Sequence, residues 1–270
     1  MNEKNRNLLV RVTTVLVLLP GVLWLIWRGG VPLALLISFA TAVCALELNY
    51  LGRPRLTGAA AVSVGGAFLI PLLEEISHSW VGASAVLSGV VILAFADALL
   101  FEEEIPDAPR RVGLAVLGAA YPGLLLSALL PLRRFPQGEW WILLALAVTW
   151  LNDSFAYFTG RAFGRRKLYE RISPSKTWEG ALGGLAGSIL GAVVIACIWI
   201  PALPAWGAAL IGLGAAVLGP VGDLSESMLK RAFGAKDSGR LLPGHGGLLD
   251  RIDALLFNAP FVLLCARLIG

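Results

Sequence analysis

The chain has 270 residues, 57% of them hydrophobic and only 15% charged, and its mean hydropathy is +0.76. A soluble domain is about half apolar and about a quarter charged, so this balance excludes a soluble globular protein. The net charge of +4 would suit a nucleic-acid partner, but the placement of the basic residues excludes that reading.

A helix needs about 20 apolar residues to cross the hydrocarbon. Nine stretches qualify: about 8–27, 31–50, 57–73, 80–101, 112–132, 139–160, 178–200, 203–225 and 248–268. The expected fold is therefore an all-α polytopic bundle. Residues 1–135 form its scaffold helices and 136–270 its site-bearing helices, within one continuous membrane domain. The first stretch has the basic start of a signal peptide. It is too long, shows no small-residue cleavage site and is followed by further spans, so it reads as a retained helix. With the N-terminus in the cytoplasm, 18 of the 22 Lys and Arg fall on the cytoplasmic side, as the positive-inside rule requires. Basic residues at that surface also favour anionic headgroups. Cys44, Cys197 and Cys265 lie inside apolar runs, without metal-ligand spacing, and read as packing residues.

In the first half the intramembrane acids are Glu47 and Asp97. Asp97 reads as a helix-end carboxylate near the surface. Glu47 divides evenly between a packing partner and a support for a site. The second half concentrates polarity. In "NDSFAYFTG", Asp153, Ala156, Tyr157 and Gly160 recur at helical spacing and share one face, with Asn152 beside them. An acid, a tyrosine and two small residues on one face suit a closely packed helix bordering a polar cavity. The plain alternative for Asp153 is a helix-end carboxylate paired with a loop arginine.

"ISPSKTWEG" reads as a helix start, with Ser173 at the N-cap and Pro174 at the first helical position. Its free N–H groups, Lys176, Ser175 and Thr177 make a plausible phosphate site, weighed evenly against an ordinary capped helix. The next span carries Gly180, Gly184, Gly187 and Gly191 on one stripe, a close-packing face. Asp223, Ser227 and Lys230 share another face, and Asp250 and Asp253 open the last span. Carboxylates from two helix ends suit a hard divalent cation, which for Mg²⁺ needs only one or two of them plus substrate phosphates. Lys and Arg beside them suit phosphate oxygens. Gly246 and Gly247, next to His245, let backbone come close to a ligand. The plain alternative there is a turn with an exposed histidine.

Ser227, Leu229-Lys230-Arg231, Lys236-Asp237, Gly239, Leu242-Pro243, His245-Gly246-Gly247 and Asp250-Arg251-Ile252-Asp253 keep the order and spacing of a long signature. It resembles that of the phosphatidate cytidylyltransferases, also called CDP-diacylglycerol synthases. The "NDSFAYFTGRAFGRRKL" and "ISPSKTWEG" runs resemble the same family, and Tyr121 lies in a weaker stretch of likeness. The likeness is strong over about 145–260. The family often has a basic residue where this chain has Ser175.

The resemblance implies an enzyme that joins CTP and phosphatidic acid, releases pyrophosphate and leaves CDP-diacylglycerol in the membrane, with Mg²⁺ and room for a second cation. It implies that Asp223 and Asp250 hold the metal, with Asp253 beside them. Lys230, Arg231 and Lys236 would neutralise phosphates, with Arg251 in the same signature. Asp237 would orient a basic residue, and Ser173, Lys176 and Thr177 would face the lipid phosphate or the nucleotide. A bacterial inner membrane, a site at its cytoplasmic face and a homodimer are consistent with it.

Three other readings compete with this one. A transporter would place its acids at mid-bilayer and show paired halves. A CDP-alcohol phosphotransferase would carry a D-G-x2-A-R motif that is absent here. A CTP-using lipid kinase stays open on residue types alone.

Overall fold

The computed structural model describes residues 18–52, 57–101, 105–239 and 246–269. Among them, eight helices are long and apolar enough to cross a membrane, and the chain is a multi-pass membrane protein. The first of the nine expected spans falls mostly outside the described residues. Its remainder is the short helix α1 (Leu18–Arg28). The other eight spans each have their helix.

The chain forms two compact units, residues 1–130 with 235–251, and residues 131–234 with 252–270. In the first, α2 (Gly30–Gly52), α3 (Gly58–Ser77), α4 (Trp80–Phe101) and α5 (Ala108–Ser127) pack together, with α3 touching the other three. Thr57 caps α3, its hydroxyl accepting the Ala60 N–H at 3.2 Å. A one-turn 3₁₀ segment leads into α5, and α6 (Leu129–Arg133) follows a break at Ala128. Ala59, Ala94, Ala98, Val112 and Ala115 form a buried cluster. Such small side chains let helix backbones approach closely where lipid offers no hydrophobic drive.

Polar groups between these helices find partners inside the protein. The Thr41 hydroxyl donates to the Ala67 carbonyl at 2.7 Å, and the Asn49 amide donates to Ser63 Oγ at 2.9 Å. Asp97 corrects its sequence reading. It is not a surface carboxylate but is buried, with Arg111 Nη2 at 2.5 Å from its Oδ2. Arg111 lies in the first turn of α5, within reach of α4.

In the second unit α7 (Gly138–Phe163) is followed by a two-stranded antiparallel hairpin, β1 (Lys167–Tyr169) and β2 (Ser173–Thr177). Then come α8 (Trp178–Trp199), α9 (Ala205–Ala232) and, from Ile252 onward, α10 (Leu249–Ile269). α7 packs on α8, and α8 on α9. The expected glycine stripe makes the first contact possible. A Cβ on Gly180 would lie 2.9 Å from the Ala156 carbonyl, on Gly184 2.9 Å from that of Asn152, and on Gly187 2.8 Å from that of Leu151. The buried Asn258 amide donates to Thr149 Oγ1 at 2.9 Å, tying α10 to α7. Trp150, Phe158, Leu182, Leu190 and Val217 point outward, as side chains facing lipid tails would.

Because removing one member of a buried ion pair leaves the other charge uncompensated, Arg111→Met should destabilise by about 3–5 kcal/mol. Adding Asp97→Leu to that variant should recover most of the loss. Thermal aggregation curves of the detergent-solubilised protein measure both.

Candidate active site

One face of α7 supplies more of a cavity in the second unit than any other element. Asn152, Asp153, Ala156, Tyr157, Gly160 and Arg161 line it from α7, Ser175, Lys176 and Thr177 from β2, Gly180 and Ala181 from α8, and Pro220 and Asp223 from α9. Its volume is about 400 Å³. The four residues expected on one face of α7 all line it.

The approach to α8 is not the one read from the sequence. Ser173 and Pro174 do not start the helix; they lie in β2. Thr177, extended at φ −129° and ψ 155°, is the N-cap, and its hydroxyl accepts the Gly180 N–H at 3.1 Å. The cap moves because Ser173–Thr177 pairs with Lys167–Tyr169, and strand geometry excludes a helical turn there. Glu179, which the sequence reading left without a role, holds the hairpin to the helix. Its carboxylate accepts the backbone N–H of Arg165 at 3.0 Å and of Arg166 at 3.2 Å, and the Trp178 N–H donates to the Arg166 carbonyl at 3.0 Å. An acid in the first turn of a helix was the available signal.

Lys176 thereby points its ammonium at Asp223, with 2.7 Å between Nζ and Oδ2. The Ser227 hydroxyl donates to Asp223 Oδ1 at 3.3 Å. The charges of Asp153 and Asp253 both interact with that of Asp223. Lys230 pairs with the buried carboxylate of Glu226, one turn back on α9. Arg231 is exposed near the end of α9. The Arg161 guanidinium donates to the Tyr157 hydroxyl at 3.2 Å. Asn152 is 3% exposed, and its amide nitrogen has no hydrogen-bond partner among the described residues.

The first unit carries the other part of the expected signature. Lys236 and Asp237 are exposed there. Asp250 Oδ2 accepts the Ser238 N–H at 2.9 Å, the Ser238 hydroxyl at 2.9 Å and the Gly247 N–H at 3.0 Å. Gly246 has φ +84°, the positive-φ backbone expected of this turn. Arg251 is exposed. Ser238 was missed, since only its place in a Ser-Gly turn marked it. His245 lies outside the described residues.

An oxygen-only donor set suits a hard cation. Among the described residues no three His, Cys, Asp or Glu come together in metal-holding geometry. Mg²⁺ needs only one or two carboxylates beside waters and phosphates, and Asp223, with a cationic ammonium already against it, fits that use.

Thr177→Val should lower stability by about 1 kcal/mol through the lost cap, whereas Thr177→Ser should keep it. Thermal melts of the two purified variants decide this.

The chain is similar to known proteins over nearly its whole length. The model of a family described as "Cytidylyltransferase family" matches residues 9–269. A Brucella abortus protein named phosphatidate cytidylyltransferase is 37% identical over 265 residues, covering 96% of this chain and 93% of its own length. Proteins of the same name from Bacillus subtilis and Staphylococcus haemolyticus are 35% and 32% identical, over 89% and 94% of this chain and 90% and 96% of theirs. A family model that spans nearly the whole chain, and relatives this similar over most of it, make one conclusion plain: the chain belongs to the cytidylyltransferase family.

Proposed function

We propose that this chain is a phosphatidate cytidylyltransferase, transferring CMP from CTP to phosphatidic acid and releasing pyrophosphate, in phospholipid biosynthesis. The observation that carries the reading is the cavity of the second unit. It combines the Asp223–Lys176 pair, a buried Asn152 amide and the Tyr157 hydroxyl with walls made by apolar spanning helices. A lipid phosphate and a nucleotide triphosphate both need such a mixture, and the names of the relatives point the same way.

In the reaction a phosphate oxygen of phosphatidic acid forms a bond to the α-phosphorus of CTP. The bond from that phosphorus to the bridging oxygen breaks, and pyrophosphate leaves with the electron pair. The attacking phosphate is already anionic, so alignment and charge stabilisation carry most of the work. Mg²⁺, when bound, would draw charge from the phosphate oxygens. Asp223, which borders the cavity, and Asp250, on the strength of the signature, are the carboxylates we assign to Mg²⁺. Asp253 would support Asp223, and a second cation is allowed. Lys176, released from Asp223, would pair with a phosphate. Lys230, Arg231, Lys236 and Arg251 would neutralise the triphosphate and the leaving pyrophosphate. The Asn152 amide would donate to an oxygen that reaches the cavity. Ser173, Thr177, Ser227 and Asp237 would act by holding these groups in place, and His245 with Gly246 and Gly247 by letting backbone approach the ligand. The membrane we assign is the bacterial inner membrane, with the site and the N-terminus on the cytoplasmic side.

Purified protein given phosphatidic acid, Mg²⁺ and CTP labelled at the α-phosphorus should move the label into lipid. Label that stays in CDP would favour a lipid kinase and overturn the reading. Asp223→Ala should cut the rate by about 100-fold or more while the protein stays folded, and a chelator should silence the parent reversibly. Near-parental activity of Asp223→Ala would remove Asp223 from the metal site.

A further inference from the structure

Glu47 is buried at the far end of α2, yet its carboxylate does not serve the helix that carries it. Oε1 accepts the Leu248 N–H at 2.9 Å, and Oε2 accepts the Leu249 N–H at 2.8 Å. These are the first N–H groups of α10, reached across sequence separations of 201 and 202 residues. Groups at a helix start have no intrahelical acceptor, and capping usually comes from the adjoining serine, threonine or aspartate. Here α2 supplies the cap instead.

The Ser238 hydroxyl lies between two acids, 3.2 Å from Glu47 Oε2 and 2.9 Å from Asp250 Oδ2. One hydroxyl proton serves one acceptor at a time, so the Ser238 hydroxyl can donate to either carboxylate and lies within reach of both. The packing leaves no slack. A Cβ on Gly247 would stand 2.8 Å from Glu47 Oε2 and 2.8 Å from the Gly239 nitrogen. The Ser238 hydroxyl, nearer still to that Cβ, and the Glu47 carboxylate together leave residue 247 no room for a side chain. A neutral amide at position 47 would offer one acceptor oxygen where two N–H groups need one each.

We propose that Glu47 is a positioning residue for the reaction: by clamping the first N–H groups of α10 and the Ser238 hydroxyl, it fixes the turn that orients Asp250. The proposal rests on the assignment of Asp250 to Mg²⁺. Glu47 itself touches neither metal nor substrate. Its action runs through Ser238 and the backbone at 247–249.

The test uses the purified full-length protein, with Glu47→Gln and Glu47→Asp. Without metal or substrate, amide hydrogen exchange at 238–239 and 246–250 should be faster in Glu47→Gln, while the other helices exchange as in the parent. The Mg²⁺ concentration for half-maximal activity should rise by about 10- to 100-fold, the usual effect of losing an outer-shell partner, with KM for phosphatidic acid unchanged. Glu47→Asp should fall between the two. Parental exchange and parental Mg²⁺ dependence in Glu47→Gln would overturn the proposal. So would uniformly faster exchange with no Mg²⁺ shift, the mark of a purely structural role. Should Glu47→Gln fail to fold, Glu47→Asp and Gly247→Ala must show the same local signature, and loss of folded protein in all three overturns the proposal. Asp250→Asn separates the two ideas. Parental activity in that variant sinks the metal assignment and leaves the exchange result standing. An inactive Asp250→Asn beside an unaffected Glu47→Gln sinks the positioning role alone.

Discussion

The second unit depends on how near two backbones come. Without side chains at Gly180, Gly184 and Gly187, α8 lies directly on the carbonyls of α7. That contact brings the cap at Thr177 beside Gly160 and sets Asn152 against the wall of the cavity. The hairpin then has only one way to enter α8, and Glu179 fixes it there by accepting two backbone N–H groups of the incoming strand. Lys176 is one residue before the cap, so its reach to Asp223 follows from the helix contact rather than from loop chance. A membrane bundle gains little from hydrophobic contact between helices, and van der Waals fit at small residues takes over that role.

A second theme is that charge inside this protein comes in complementary sets. Asp97 has Arg111, Glu226 has Lys230, Asp223 has Lys176, and Glu47 has a helix start. Charged groups in a membrane are costly unless paired or directed at a cavity. The first two pairs tie helices or helix turns together. Lys230, Lys176 and the turn held by Glu47 sit at the segments that carry the family resemblance, and the Asp97–Arg111 pair does not. The difference is visible in what surrounds them: Asp223 borders open volume, whereas Asp97 is enclosed.

Much of this was legible in the sequence. Eight spans, the glycine stripe and the shared face of Asp153, Ala156, Tyr157 and Gly160 follow from helical periodicity and hydropathy alone. Local chemistry misled at Ser173–Pro174, because a cap signature does not reveal that a neighbouring segment will pair with it as a strand. Asp97 misled for a related reason: its partner lies on the next helix, and sequence shows spacing along one helix but not contacts between two. Glu47 shows the limit most clearly. Its acceptors meet donors some two hundred residues away, and no pattern in "CALELNY" announces that.

The pair between Lys176 and Asp223 has one further consequence. Lysine carries its ammonium on a flexible stem, while β2 and the Thr177 cap hold its backbone still. The empty cavity is therefore kept near electroneutrality by a tethered counter-ion that can change partners without any motion of the chain. An incoming phosphate and its cation would exchange ions with a pair already in place, one replacing the ammonium at Asp223 and the other receiving it. For the chemistry proposed here, binding becomes a swap of partners rather than the approach of a ligand to lone charges.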